Sequence, residues 1–200
     1  MPGPAARARI RAARRALDPA EAERGGEAVA ERIGRWVDER WERAKVGTYV
    51  AFDGELDPAA LGERLRRAGH STWLPVCGED LHLRFRRWDG HQPLVSGPFG
   101  TSHPELGDTV DPAQLDVVVV PLVAFDRHCH RVGFGAGFYD RTFAGEPRPV
   151  LVGSAHDLQE LDPWRPEAWD VTLDAVVTPT RWIGSDGAEP AAQADAMRSD

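Results

Sequence analysis

The chain has 200 residues, of which 42% are hydrophobic and 28% charged, and its formal net charge is −8 at pH 7. These values are typical of one globular domain with a substantial core, whereas a nucleic-acid partner would call for a basic face. No segment approaches the ~20 apolar residues that span a bilayer, and two isolated cysteines without a signal-peptide pattern favour the cytoplasm. We therefore expect neither a nucleic-acid nor a membrane partner.

Helix and strand signals alternate along the chain. Asp18, Pro19 and Glu21 have the pattern of a helix N-terminus, and residues 81–88 alternate apolar and polar side chains as an edge strand does. The predicted helices cover residues 5–17 and 18–43, and a third begins at 57. The predicted strands cover residues 45–52, 72–76, 81–88, 115–121, 150–153 and 175–178, with a Gly- and Pro-rich loop over 97–111.

Strands that alternate with helices indicate a mostly parallel sheet covered on both faces. We predict a single α/β domain over residues 1–182, with three layers in the order α/β/α and a small antiparallel edge. Residues 183–200 are rich in Gly, Ala, Asp and Ser, a composition that predicts a disordered C-terminal tail.

The segment that ends at residue 140 has the clearest chemical pattern. Gly133, Gly135 and Gly137 occupy every second position, and Asp140 follows shortly afterwards. Glycines at this spacing free the backbone N–H groups to close on an anion, and a helix that begins near Phe138 would add positive partial charge. A carboxylate beside a phosphate is reasonable if it holds the Mg²⁺ of a nucleotide. The pattern predicts a phosphate-binding loop with a metal carboxylate.

These residues also carry a family likeness. PLVAFD at 121–126 and RVGFGAGFYDR at 131–141 resemble the signature of the 5-formyltetrahydrofolate cyclo-ligase (5,10-methenyltetrahydrofolate synthetase) family. Four further motifs follow in the family's order and approximate spacing: YVAFDGEL at 49–56, LPV at 74–76, WD at 169–170 and DAVVTP at 174–179. The likeness covers about residues 7–182 and implies a fold similar to that of sugar-phosphate isomerases and CoA transferases.

The resemblance implies a definite reaction. ATP, with Mg²⁺, phosphorylates the formyl oxygen of 5-formyltetrahydrofolate, the N10 amine attacks the activated carbon, and phosphate leaves to give 5,10-methenyltetrahydrofolate. The protein then has mainly to position two ligands and to neutralise charge. The expected partners are ATP and a reduced folate, which can carry a polyglutamate tail, and we expect a monomer.

The resemblance also assigns site residues. Arg7, Glu55 and Tyr139 are the expected catalytic residues, and Asp140 and Asp170 the expected Mg²⁺ ligands. ATP binding is assigned to Arg7 together with Arg131, Val132, Gly133, Phe134, Gly135, Ala136, Gly137, Phe138 and Tyr139. Folate binding is assigned to Val50, Glu55, Phe134 and Phe138, with Glu55 facing the donor edge of the pterin ring.

Several positions depart from the family pattern or allow another interpretation. Phe134 stands where many members have arginine, and Gly3 where some have lysine. A different enzyme on the same architecture and a non-catalytic folate-binding protein remain alternatives, whereas the glycine spacing does not fit a nicotinamide enzyme. His128, Cys129 and His130 lack the second ligand cluster that a zinc site requires.

Overall fold

The computed structural model describes residues 1–184. Residues 185–200, nearly all of the predicted tail, lie outside the described residues, and residues 183–184 belong to the last strand. The helices are α1 Pro4–Arg15, α2 Pro19–Asp38, α3 Ala59–Arg67 and α4 Phe138–Thr142. The strands are β1 Lys45–Gly47, β2 Ser71–Cys77, β3 Leu83–Trp88, β4 Leu94–Ser96, β5 Ser102–Pro104, β6 Thr109–Val110, β7 Val117–Pro121, β8 Ala124–Phe125, β9 Arg131–Val132, β10 Val150–Ser154, β11 Ala175–Val177 and β12 Trp182–Gly184.

Eight strands form one sheet in the order β12-β11-β10-β7-β1-β2-β3-β6. Strands β11, β10, β7, β1 and β2 are parallel, and β12, β3 and β6 add antiparallel edges. The central strand β7 reads VVVVP and is buried along its four valines, as a parallel strand covered on both faces must be. The predicted α/β class, with a mostly parallel sheet and a small antiparallel edge, is confirmed.

The two faces of the sheet pack against different layers. On one face, Ile33 and Trp36 of α2 and Leu65 of α3 join the valines of β1, β7 and β10 in one apolar cluster. On the other face, Phe138 and Phe143 at the two ends of α4, together with the loop residue Leu173, pack against β7, β10 and β11. The short α4 and the loops around it are therefore anchored on the sheet by buried apolar contacts.

Two predicted elements extend five residues beyond the observed ends. Helix α2 ends at Asp38 instead of continuing to residue 43, because the chain turns inward and the backbone N–H of buried Ala44 donates to Nδ1 of His70 at 2.9 Å. Strand β1 ends at Gly47 instead of residue 52. The N–H of Thr48 still donates to the carbonyl oxygen of Trp73, and the chain leaves the sheet after it. The Asp18 cap is confirmed, since its carboxylate accepts from the N–H groups of Ala20 and Glu21.

The segment predicted as a loop over residues 97–111 contains short strands, so that prediction is wrong in part. Strand β5 pairs with β4 in an antiparallel hairpin, and β6 pairs with β3 at the edge of the main sheet. Strands of two or three residues are too short for periodicity to reveal. None of the helices within residues 1–184 is long and apolar enough to cross a membrane.

Candidate active site

A cavity of about 1030 Å³ opens at the carboxyl ends of the parallel strands β1, β2 and β7. Val50 lies just after β1, Pro75 lies in β2, and Pro121 ends β7; all three line the cavity. Parallel α/β sheets bind ligands at this edge, because the connections that follow the strands carry the functional groups. Every residue assigned to ATP, folate or Mg²⁺ in the sequence lines this one cavity, although these residues come from distant segments.

The glycine loop joins β9 to α4 and keeps its backbone open to the cavity. Gly135 has φ of +107° and Gly137 has φ of +72°, values that glycine adopts readily and other residues rarely. Within the described part of the chain, a Cβ placed on Gly135 would meet only Nη1 of Arg7, at 3.7 Å. The conformation explains why glycine is needed at these two positions.

Three guanidinium groups surround the glycine loop. A Cβ placed on each of the three loop glycines would lie within 4 Å of one of these groups. The neighbour is Arg131 for Gly133, Arg7 for Gly135 and Arg141 for Gly137. Nε of Arg131 is also buried and has no hydrogen-bond partner among residues 1–184. A buried donor without a partner is costly, and an anionic oxygen in the cavity would satisfy it. The loop and its arginines therefore fit a phosphate group.

The two carboxylates assigned to Mg²⁺ lie on the same wall of the cavity. Oδ1 of Asp140 accepts hydrogen bonds from Nη2 of Arg131 at 2.8 Å and from the backbone N–H of Val171 at 3.1 Å. Val171 directly follows Asp170, so the second of these bonds ties the two segments together. Oδ2 of Asp170 accepts from the N–H of Glu167 at 2.8 Å, which fixes the orientation of that carboxylate.

The donor set fits a magnesium ion that is shared with a bound ligand. Among residues 1–184, no group of three or more His, Cys, Asp and Glu side chains could hold a metal by itself. Mg²⁺ commonly takes one or two carboxylates and completes its shell with substrate phosphates and water. Oδ2 of Asp140 accepts no hydrogen bond from the described residues, so it is available to such an ion.

Glu55 also lines the cavity and is 8% exposed. Its Oε2 accepts from the backbone N–H of Phe52 at 3.3 Å, whereas Oε1 is buried and has no hydrogen-bond partner within residues 1–184. Burial raises the pKa of the Glu55 carboxyl to about 7, against the opposing effects of the Phe52 N–H and of Arg14. A buried acceptor without a partner fits a ligand that brings its own donors.

Two tyrosines stand near Glu55: Tyr49, which is buried, and Tyr139, which is half-buried. Burial raises the pKa of Tyr139 well above its ordinary value, and the nearby Glu55 carboxylate adds to this rise. Burial does the same to the pKa of Tyr49, whose hydroxyl donates to the carbonyl oxygen of Leu56 at 2.5 Å. Tyr139 therefore keeps its proton at neutral pH, which makes it a hydrogen-bond donor and not a general base.

The aromatic residues of the glycine loop face different neighbours. Phe134 is 41% exposed and stacks on Phe52, with 4.7 Å between ring centroids and 25° between planes. Phe138 is buried and meets the ring of Phe99 edge-on, at a centroid distance of 5.5 Å. Two separate aromatic surfaces thus line the cavity, and each is suitable for packing against a flat ring.

Sequence reasoning missed several residues that line the cavity. The hairpin of β4 and β5 brings Phe99, which is 65% exposed, and Thr101 to its rim. Trp169, which is 70% exposed, lines the cavity beside Asp170. Cys77, the last residue of β2, is half-buried and also lines the cavity. Phe99 has φ of +60°, an uncommon value for a bulky residue. That backbone conformation leaves no signal in the sequence.

The turn that contains the two adjacent histidines is held by a buried aspartate. Asp126 is fully buried and accepts from the backbone N–H groups of His128 and His130 and from Nδ1 of His130. Cys129 donates its Sγ–H to the carbonyl oxygen of Ile183 at 3.3 Å. These contacts give the His-Cys-His segment a structural role within the described residues.

The fold and the cavity define an α/β enzyme with a glycine loop and two carboxylates at the carboxyl edge of a parallel sheet. Residues 3–179 match the model of the 5-formyltetrahydrofolate cyclo-ligase family. The chain therefore belongs to that family, which confirms the family and the enzyme class predicted from the sequence.

Individual relatives give the same result. The chain is 38% identical over 182 residues to the 5-formyltetrahydrofolate cyclo-ligase of Escherichia coli K12, covering 86% of this chain and 97% of the relative. It is 33% identical to the enzyme of that name from Mycolicibacterium smegmatis, covering 82% and 87% of the two chains. The NMR structure of Aquifex aeolicus 5,10-methenyltetrahydrofolate synthetase has a TM-score of 0.79 at 26% identity, covering 96% and 97% of the two chains.

Proposed function

We propose that this protein converts 5-formyltetrahydrofolate to 5,10-methenyltetrahydrofolate at the expense of ATP, releasing ADP and phosphate. The formyl oxygen is a poor leaving group, and its phosphorylation by ATP makes it a good one. The N10 amine then attacks the formyl carbon and gives up its proton. The C–O bond breaks, and inorganic phosphate leaves with that proton as the new C–N bond closes the ring. This sequence of steps places little covalent chemistry on the protein.

The observation that best supports the proposal is the pair of unsatisfied buried groups in one cavity. Among residues 1–184, Nε of Arg131 is a donor without a partner beside the glycine loop, and Oε1 of Glu55 is an acceptor without a partner. A phosphate oxygen would satisfy the first, and the amino and N–H edge of a pterin would satisfy the second. ATP and a reduced folate together supply both groups.

Each residue then has a defined task on the nucleotide side. The backbone of residues 133–137 and the guanidinium groups of Arg7 and Arg131 hold the phosphates, and Asp140 and Asp170 hold Mg²⁺ directly or through water. The ion would neutralise charge on the phosphate oxygens. Release of Arg131 from Asp140 would let that guanidinium turn to the transferred phosphoryl group.

On the folate side, the residues orient the substrate and exclude water. Glu55 accepts the pterin donors, Val50 and Phe138 pack against the ring, and Tyr139 donates a hydrogen bond with its retained proton. The cavity walls keep the phosphorylated formyl group away from bulk water. Positioning of N10 against the formyl carbon is the main contribution to rate.

A spectrophotometric assay tests the proposal. Purified protein, 5-formyltetrahydrofolate, Mg²⁺ and ATP are mixed, and the near-ultraviolet band of the methenyl product is followed. The expected result is a rise in absorbance that requires both ATP and Mg²⁺ and is accompanied by equimolar phosphate release. Folate binding by calorimetry without turnover would support the alternative of a non-catalytic folate-binding protein. The absence of both would contradict any folate function.

A further inference from the structure

Asp53 lies just behind the cavity wall and holds three arginine side chains of α1. Its Oδ2 accepts from Nε of Arg11 at 2.7 Å and from Nη2 of Arg14 at 3.0 Å, and its Oδ1 accepts from Nη1 of Arg15 at 3.0 Å. The Asp53 side chain is 11% exposed. The hydrogen bond from Arg11 lowers the pKa of Asp53 in spite of its burial, so the carboxylate stays charged.

The turn that contains Asp53 determines where the Glu55 carboxylate lies. The backbone N–H of Glu55 donates to the carbonyl oxygen of Phe52 at 3.0 Å, and the N–H of Phe52 donates back to Oε2 of Glu55. Both central residues have positive φ, +55° for Asp53 and +76° for Gly54, as a type I′ turn requires. Any shift of this turn therefore moves the Glu55 carboxylate.

Helix α1 packs directly on this turn. The Arg14 side chain is fully buried and donates to the carbonyl oxygens of Asp53 at 2.9 Å and of Leu122 at 3.1 Å. Gly54 approaches α1 so closely that a Cβ would lie 3.1 Å from the backbone N and Cα of Arg15. Arg14 thus links the turn on one side to Leu122, the residue that follows β7, on the other.

The arginines of α1 also contact the glycine loop. The guanidinium groups of Arg11 and Arg14 lie over the ring of Phe134, at 5.0 Å and 5.4 Å from its centroid. Phe134 in turn stacks on Phe52, the first residue of the turn. Cation–π contacts of this kind restrict the arginines to one geometry. None of Asp53, Arg11 and Arg14 lines the cavity.

We propose that Asp53 is a positioning residue which, through its ion pairs with Arg11 and Arg14, fixes the turn that aims Glu55 into the folate side of the cavity. This inference rests on the proposed function for the identity of the ligand. Asp53 touches no substrate; it acts through the place and the charge of Glu55. Its loss should therefore change folate recognition more than nucleotide use.

The charge balance around Glu55 gives this role a distinctive signature. The charged groups that act on Glu55 are Arg14 on α1 and Asp53 on the turn, and the phenols of Tyr49 and Tyr139 also stand near it. Asp53 raises the pKa of Glu55 and Arg14 lowers it. Removing the Asp53 charge takes away the first effect and leaves Arg14 without its counter-ion, so the Glu55 pKa should fall.

The test variant is Asp53→Asn, because asparagine tolerates positive φ and keeps the size of the side chain. The expected result is a KM for 5-formyltetrahydrofolate about tenfold higher, with less than a threefold change in the KM for ATP. A ¹³C NMR titration of the Glu55 carboxyl, which needs no ligand, should show a lower midpoint than in the wild-type protein. Arg15→Gln removes an exposed partner of the same carboxylate and is the matched control, with less than a twofold change expected.

A double-mutant cycle separates positioning from a general loss of structure. If Asp53 acts through Glu55, Asp53→Asn should have almost no further effect on folate KM in a Glu55→Gln background. A full tenfold effect in that background, or an unchanged Glu55 midpoint in Asp53→Asn, overturns the inference. Arg11→Gln serves as a milder second variant if Asp53→Asn folds poorly. Failure of the wild-type protein to bind folate would contradict the proposed function itself. The ligand-free NMR titration of Glu55 would still test the effect of Asp53 on that carboxyl.

Discussion

At the scale of single residues, Glu55 shows how folding creates a chemical property that an exposed glutamate lacks. The turn over residues 52–55 buries the carboxyl and leaves Oε1 without a partner in the described part of the chain, and burial raises the pKa of the carboxyl to about 7. In the unfolded chain the pKa returns to its ordinary value of about 4.3. The native state therefore binds more protons between these two pKa values, and the ionised carboxylate destabilises the fold as pH rises through that window.

The Glu55→Gln variant tests both consequences of this burial. Gln cannot ionise, so the variant should be more stable than wild type by about 3–4 kcal/mol at pH 8, and equally stable near pH 4. Thermal denaturation at the two pH values measures this difference. Loss of the charged acceptor should raise the KM for 5-formyltetrahydrofolate about tenfold. An unaltered folate KM would count against contact between Glu55 and the pterin.

Asp140 is the residue on which metal-dependent nucleotide use depends in the proposed function. The Asp140→Asn variant keeps an oxygen that can accept from Arg131 and Val171, so the fold should survive. With the charge gone, the Mg²⁺ concentration needed for half-maximal activity should rise at least tenfold, since one of two carboxylate ligands is weakened. Folate affinity measured by calorimetry should change less than twofold. Wild-type Mg²⁺ dependence in this variant would rule out the metal role.

At the scale of elements, the glycine loop and α4 depend on the sheet beneath them. The loop itself has few apolar side chains, but Phe138 and Phe143 anchor α4 in the cluster that covers β7. The positive φ of Gly135 then sets the backbone path around the position where we place the phosphates. An open loop with an anchored end is what a preorganised anion site requires.

Gly135→Ala is the corresponding test. Alanine at φ of +107° should cost about 1–3 kcal/mol of backbone strain, and the loop should relax away from its binding conformation. The KM for ATP should rise more than tenfold while folate affinity changes little. Gly145→Ala is the matched control, because a Cβ there meets nothing within 4 Å, and it should leave both unchanged. Equal effects of the two substitutions would contradict a special role for the loop.

At the scale of the whole molecule, one cavity collects side chains from α1, the β1–α3 connection, the glycine loop and the segment before β11. A ligand that contacts all of these elements ties them together and binds only the folded chain. Binding to the native state alone raises the free energy of unfolding by about 2.7 kcal/mol at a ligand concentration of 100 Kd. Stability and ligand binding are thus linked across the entire domain.

Thermal denaturation with ligands measures this linkage. At 100 Kd, 5-formyltetrahydrofolate should raise the Tm by about 5–10 °C, and Mg²⁺ with a non-hydrolysable ATP analogue should do the same independently. The Asp140→Asn variant should lose most of the nucleotide shift and keep the folate shift. A nucleotide shift that does not require Mg²⁺ would contradict the shared metal site.

Local patterns were sufficient for much of the fold and for the composition of the site. The Asp18 cap, the all-valine strand β7 and the glycine spacing are short-range features, and each is visible in a few neighbouring residues. The ends of α2 and β1 were predicted wrongly. The end of α2 depends on a hydrogen bond between Ala44 and the distant His70, and the end of β1 depends on the turn that leads to Glu55. Phe99 and Trp169 were missed as cavity residues for the same reason.

The sequence by itself determined the α/β class, the position of the glycine loop and the family, since these depend on local periodicity, on glycine's backbone freedom and on ordered motifs. Only the tertiary structure decided that Arg7, Glu55 and Asp170 share one cavity with that loop. It alone also buried Glu55 against a turn held by Asp53 and α1. Burial and charge pairing arise from residues far apart in the chain, and no short sequence pattern contains them.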